Sequence, residues 1–191
     1  GILFSGRMAS GASFLRKDVL RIVRWSVASR MLCWLIGFSA YSIAGVYDSS
    51  AEIFWEQKTQ ATGGASDMII LRALKMFAHW DGVYFAEIAT SGGCYQWDKE
   101  RAFFPLYPLA GSSIGGVMHL LVGNRMMSAN VSTLAALVFI SNGSFVLSAV
   151  VLYLLGLEVL GDRRRSYQAA LLFAFTPAVI SKCNHRIQLF A

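Results

Sequence analysis

Asp81 is the only acidic residue in the run His79-Trp80-Asp81-Gly82-Val83-Tyr84-Phe85. A carboxylate among aromatics is partly desolvated, and such a group can act as a general base toward a hydroxyl nucleophile. Downstream stand Trp97-Asp98 and then Ala102-Phe103-Phe104-Pro105-Leu106-Tyr107-Pro108. The aromatics and prolines of 103–108 make a stiff entry into the apolar segment that follows. Tyr, Trp and Phe at a membrane surface suit both a lipid chain and the face of a sugar. Residue types alone leave Asp81 open between a base and an ordinary solvated carboxylate. Asp98, Lys99, Glu100 and Arg101 read as a solvated charged turn. His79 and His119 lack ligand partners at useful spacing, and Cys33, Cys94 and Cys183 form no CxxC pair. No metal site is expected from them, and no cofactor is certain. The phosphate-binding glycine motifs and the G-x-S-x-G elbow are absent from the sequence.

These residues need a membrane around them. Of 191 residues, 55% are hydrophobic and 15% charged, with a mean hydropathy of +0.51. Soluble domains carry about 25% charged residues. The balance excludes a disordered chain and an ordinary nucleic-acid-binding domain, and it points to an all-α integral membrane protein. Charge is also segregated. Residues 48–102 carry eight acids and five bases, whereas Arg16, Lys17, Arg21, Arg24 and Arg30 precede or begin the first long apolar run. The positive-inside bias makes 1–26 a cytosolic basic segment, with Gly1–Ser13 disordered, and 27–47 the first span, with Arg30 snorkelling at its start. Residues 48–103 then form a lumenal loop.

Within that loop QATGGA at 60–65 is a break. Ser66 is a plausible N-cap for an interfacial helix whose Arg72, Lys75 and His79 share one stripe. A short helix over 82–90 ends at Gly92-Gly93. Residues 104–191 hold further spans: 104–123 with a GxxxG at Gly111 and Gly115, and 131–157 with Asn142-Gly143-Ser144 as a helix contact or kink; 167–181 is apolar but short for a span, with Pro177 near its end. Strict alternation puts Asn124 in the cytosol and Arg163–Arg165 in the lumen, against the positive-inside bias. Either 104–123 is re-entrant or interfacial, or the short turn overrides the bias; we favour the second. The sequons at Asn130 and Asn142 sit too near spans to report sidedness.

Trp80-Asp81-Gly82-Val83-Tyr84-Phe85 with Ile88-Ala89 resembles the R-W-D-A-x-x-F-x-x-I-A block of the GPI mannosyltransferase 2 family. Ala102–Pro108 resembles that family's A-F-F-P-x-x-P. Ser141-Asn142, Leu152-Tyr153-Leu154, Val159–Arg164, Ala169–Phe173 and Thr176-Pro177-Ala178 resemble its following segments. His79 stands where the family has Arg or another residue. Gly82 replaces the commoner Ala, a mild change. Ile180–Ala191 lacks the family's Tyr and Glu. The chain begins at Gly1 and reads as an N-terminal fragment carrying the first half of an active site, inactive alone.

The resemblance implies a multispanning GT-C-like helical bundle with interfacial helices in its first lumenal loop, in the endoplasmic reticulum membrane. It implies an inverting transferase that moves mannose from dolichyl-phosphate mannose, its donor substrate, to a GPI precursor glycolipid as the second, α-1,6-linked mannose. Asp81 matches the family's base or acceptor-orienting carboxylate. Trp80, His79, Asp98, Phe103, Phe104, Pro105 and Tyr107 are the substrate-binding candidates. The other partners expected are the bilayer and an accessory membrane subunit, with no nucleic acid. Another GT-C lipid-linked sugar transferase shares these features. A transporter or non-catalytic subunit explains the spans but does not require Asp81.

Overall fold

The computed structural model describes residues 2–44, 65–74, 77, 81–96, 98–122 and 127–176, with side chains from Phe14 in the first segment and from Asp67 in the second. The QATGGA break at 60–64, the 124–125 turn, Lys75, His79, Trp80, Trp97, Pro177 and the divergent 180–191 lie outside the described residues. The described residues form six α-helices and no strand: α1 (Ile2–Ala44), α2 (Ala65–Leu74), α3 (Asp81–Thr90), α4 (Leu106–Val122), α5 (Ala129–Leu160) and α6 (Arg163–Phe175), with a 3₁₀ turn at Asp98–Ala102. They divide into two compact units. One comprises 1–37 with 142–191, the other 38–141.

Helix α1 starts at Ile2, so the expected disorder of Gly1–Ser13 is not observed. Helix propagation adds one hydrogen bond per residue to an existing nucleus, and most of these residues are adequate helix formers. Ala65 opens α2, which puts Ser66 inside the helix rather than at its cap. Helix α5 runs 32 residues without interruption through Asn142-Gly143-Ser144. Among the described residues it is the one helix long and apolar enough to cross a membrane. Helix α4 is apolar but has 17 residues. The apolar stretch expected over 27–47 continues past Ala44, the last described residue of α1. Along α5, Phe139, Leu147, Val151, Leu155 and Val159 are all exposed. That pattern fits a lipid-facing surface.

In the first unit α1, α5 and α6 pack around Ile22, Ala149, Tyr153 and Ala170. Close approach uses small residues: Ser29 Oγ donates to the Ala174 carbonyl at 2.5 Å, and a Cβ on Gly156 would lie 3.0 Å from Ser166 Cβ. Arg30 does not snorkel outward. Its guanidinium lies 3.8 Å from the Phe145 ring centroid, an inward cation–π contact. Where α5 meets α6, Gly161 at φ +62° turns the chain and Asp162 caps α6, accepting from the Arg164 and Arg165 backbone N–H groups at 2.8 and 3.2 Å.

The Asp18 carboxylate closes this end of the unit. Its side chain is 5% exposed and accepts from Arg163 Nε (2.5 Å), Arg163 Nη2 (2.9 Å) and the Tyr153 hydroxyl (2.8 Å). Arg163 therefore meets α1 beside its basic cluster, at the same end of the α1–α5 pair. The expectation that the Arg163–Arg165 turn and the basic N-terminal segment lie at opposite ends is not met. A buried carboxylate is stabilised by a cation and hydrogen-bond donors, and here the turn supplies the cation.

In the second unit α4 packs on the first half of α5. The GxxxG does the expected work: Gly111 abuts Leu137, and a Cβ on Gly115 would lie 2.5 Å from Thr133 Cα. Pro105 contributes the carbonyl that opens α4, accepting from Leu109 N at 3.0 Å, and Pro108 falls in the first turn, where its missing N–H costs nothing. Ser128 caps α5 through Oγ, which accepts from Val131 N, and donates its own N–H to buried Asp67 of α2 at 2.8 Å.

The Arg163 hydrogen bonds hold the Asp18 carboxyl below its ordinary range, outweighing the opposing effect of burial. A depressed carboxyl pKa adds stability above about pH 4, lost as pH falls through the lowered native value. Arg163→Met should lower the thermal midpoint in detergent most at neutral pH. The gap to wild type should narrow below about pH 4, where Asp18 takes up a proton.

Candidate active site

Asp81 is the first residue of α3 and is exposed, so the partial desolvation expected of it is not observed. A carboxylate in the first turn of a helix faces unpaired backbone N–H groups and the positive end of the helix dipole, which favours it there. The expected start at Gly82 is thus one residue late. Gly82 is not a mild replacement for Ala: a Cβ at this position would collide with the Phe77 backbone carbonyl. The helix ends as expected at Gly92 and Gly93, with φ of +70° and +88° and Gly93 N donating to the Ile88 carbonyl at 2.8 Å.

Tyr84 and Phe85 lie three and four residues beyond Asp81, on the same helix face. Phe103, eighteen residues further on, packs against both. Its ring stacks on Tyr84 with centroids 5.4 Å apart and meets Phe85 edge-on at 4.9 Å. Tyr107 adds a second edge-on contact to Phe85 at 5.2 Å, and its hydroxyl donates to the Leu137 carbonyl of α5 at 2.9 Å. Four aromatic rings from the two sequence blocks thus form one wall beside the first turn of α3. Offset and edge-to-face ring pairs add about 1 kcal/mol each beyond area burial.

The intervening loop is tied to this wall. The Tyr95 hydroxyl donates to the Phe103 carbonyl at 2.9 Å, and Phe103 N donates to the Glu100 carbonyl at 2.9 Å. Residues 98–101 are not the uniformly solvated turn expected. Glu100 is fully buried, and its carboxylate accepts from Gln96 N at 2.6 Å. Asp98 has a side chain 97% exposed and pairs with Arg101 at 3.7 Å. Lys99 Nζ lies 5.1 Å from the centroid of the Tyr84 ring.

Of the candidate residues, Asp81, Phe103 and Tyr107 converge on α3. Pro105 starts α4 instead of lining the wall, and Phe104 is 74% exposed with no described part in the ring cluster. Asp98 stands outside the ring cluster, paired with Arg101. His79 and Trp80, immediately before Asp81, are outside the described residues. Tyr84, Phe85 and Lys99 join the site although the sequence reading does not include them among the binding candidates. The i+3 and i+4 spacing from Asp81 marks the first two, whereas only the loop closure brings Lys99 to the wall. Among the described residues no cluster of three His, Cys, Asp or Glu side chains has the arrangement of a metal site.

A family model described as Mannosyltransferase (PIG-V) matches residues 16–184. GPI alpha-1,6-mannosyltransferase 2 of Homo sapiens is 34% identical over 184 residues, covering 92% of this chain and 34% of that protein. GPI mannosyltransferase 2 of Drosophila pseudoobscura pseudoobscura is 34% identical over 115 residues, covering 60% of this chain and 24% of the relative. The Drosophila melanogaster protein of the same name is 28% identical over 162 residues, covering 84% of this chain and 34% of the relative. The chain therefore spans about a third or less of the length of these relatives. No solved structure matches it.

Phe103→Ala should remove two of the ring contacts that join the blocks. Because Phe103 is partly buried, we expect a loss of about 2 kcal/mol, less than for a fully buried ring, read as a lower thermal midpoint in detergent. Proteolysis should become faster within 91–105.

Proposed function

The chain belongs to the mannosyltransferase (PIG-V) family, and on that premise we propose that the protein containing it transfers mannose from dolichyl-phosphate mannose to a GPI precursor. The product is the second, α-1,6-linked mannose, formed at the lumenal face of the endoplasmic reticulum membrane. One observation carries the reading: an exposed carboxylate on the first turn of α3, beside a wall built from both motif blocks.

The reaction is an in-line displacement at the mannose anomeric carbon, which inverts its configuration. An acceptor hydroxyl oxygen forms the new bond to that carbon as the bond to the phosphate oxygen breaks. Asp81 takes the hydroxyl proton, and dolichyl phosphate leaves with the electron pair. Tyr84, Phe85, Phe103 and Tyr107 offer aromatic surface to a sugar or an isoprenoid chain. Trp80, adjacent to Asp81 in sequence, is assigned to orienting the carboxylate or stacking on sugar.

Asp18 ties the Arg163 turn to the basic end of α1. Asp67, in the loop that carries Asp81, ties to the start of α5. We therefore assign the basic N-terminal segment and Arg163–Arg165 together to the cytosol, and, from the charge pattern alone, the loop that carries Asp81 to the lumen. Helices α1 and α5 cross. The bilayer covers the apolar outer face of α5.

The full-length gene should rescue cells blocked at the second GPI mannose, and Asp81→Asn should not, although it reaches the same membrane in equal amount. Rescue by both variants would discard Asp81 as the base. Rescue by neither would discard the acceptor assignment. For sidedness, Arg164→Cys in a background without the native cysteines should react with an impermeant maleimide on sealed microsomes whose cytosolic face is outward. Protection until the membrane is opened would overturn the assignment.

A further inference from the structure

The four charged side chains of the 3₁₀ turn are sorted unequally. Asp98 and Arg101 pair with each other at 3.7 Å. The Glu100 carboxylate is buried and accepts from Gln96 N. Lys99 is exposed, and its described contact is with an aromatic face: Nζ lies 5.1 Å from the Tyr84 centroid. Tyr84 shares a helix face with Asp81, one turn away, and its ring stacks on Phe103. The turn is fixed to that ring by the Tyr95 and Glu100 hydrogen bonds to the Phe103 backbone. The tertiary structure thus sets an ammonium group against the wall that flanks the carboxylate.

We propose that Lys99 binds the phosphate of the lipid-linked sugar donor and stabilises it as it leaves; this rests on the transferase reading above. During displacement the phosphate changes from a singly charged diester to a monoester that gains negative charge. The proton and the electron pair part company: the acceptor proton goes to Asp81, and the pair from the broken carbon–oxygen bond goes to the phosphate oxygen. A carboxylate and a cation on one surface are the two groups this separation needs. The ammonium head lies over the Tyr84 ring, and Lys99 is exposed, so the head is open to an anion. Among the described residues the other nearby bases fit less well. Arg101 is engaged by Asp98, and Arg72, exposed on α2, has no described contact with the ring cluster.

The test uses full-length protein in microsomes, labelled dolichyl-phosphate mannose as the varied donor, and Lys99→Gln, Lys99→Arg and Asp81→Asn beside wild type. Lys99→Gln should lower kcat/KM for the donor about 100-fold with the acceptor KM unchanged. Lys99→Arg, which keeps the charge, should restore most of that loss. Loss of turnover in Asp81→Asn alone, with Lys99→Gln like wild type, would overturn the Lys99 assignment and leave the function standing. Equal loss toward donor and acceptor, without rescue by arginine, would make Lys99 a structural residue and equally overturn it. Wild-type protein that transfers no mannose would overturn the underlying reading, and this one with it.

Discussion

The packing of Phe103 against Tyr84 and Phe85 is the constraint on which the candidate site depends. Eighteen residues separate Phe103 from Phe85, and the loop between them turns through two glycines with positive φ. The ring contacts add to the Tyr95–Phe103 hydrogen bond and the packing of Gly93 on Leu109 in holding the helix that bears Asp81 against the segment leading into α4. With them, the two blocks form one surface, and Tyr107 extends it to α5 through the Leu137 carbonyl. The chemistry assigned to Asp81 is surface chemistry, so it needs this wall more than it needs a deep pocket.

Charge placement follows a second rule. Carboxylates that are taken out of water are given donors. Asp18 receives Arg163 and Tyr153, Asp67 receives the Ser128 N–H, and Glu100 receives the Gln96 N–H. Asp81 and Asp98 remain exposed. Asp18 and Asp67 join elements distant in sequence, whereas Glu100 fastens its own loop, and each such buried bond is expensive to lose. The exposed Asp81 is free of that duty and lies within the motif.

Helix positions were largely legible before any coordinates. Long apolar runs, the Gly92-Gly93 stop and the Gly111/Gly115 spacing act locally, through propensity and through the need to satisfy the backbone. The terminal stretch misled because its glycines and serines suggested a break, while the helix anchored behind it carries them along. The turn at 98–101 misled for the opposite reason. Its four charges look alike in sequence, and only loop closure buries Glu100 and lifts Lys99 onto an aromatic ring.

Composition and segregated charge pointed to a helical membrane chain, and the two aromatic blocks carried the resemblance to its family and made Asp81 the candidate carboxylate, because residue type and short spacing hold that information. Tertiary structure decided which aromatics meet, which carboxylates are buried and which end of α1 receives Arg163. Those outcomes depend on contacts between residues from eighteen to 145 positions apart. Residues that distant leave no periodic trace in a single sequence. Their meeting is selected by the packing of whole helices and by the cost of leaving a buried charge without a partner.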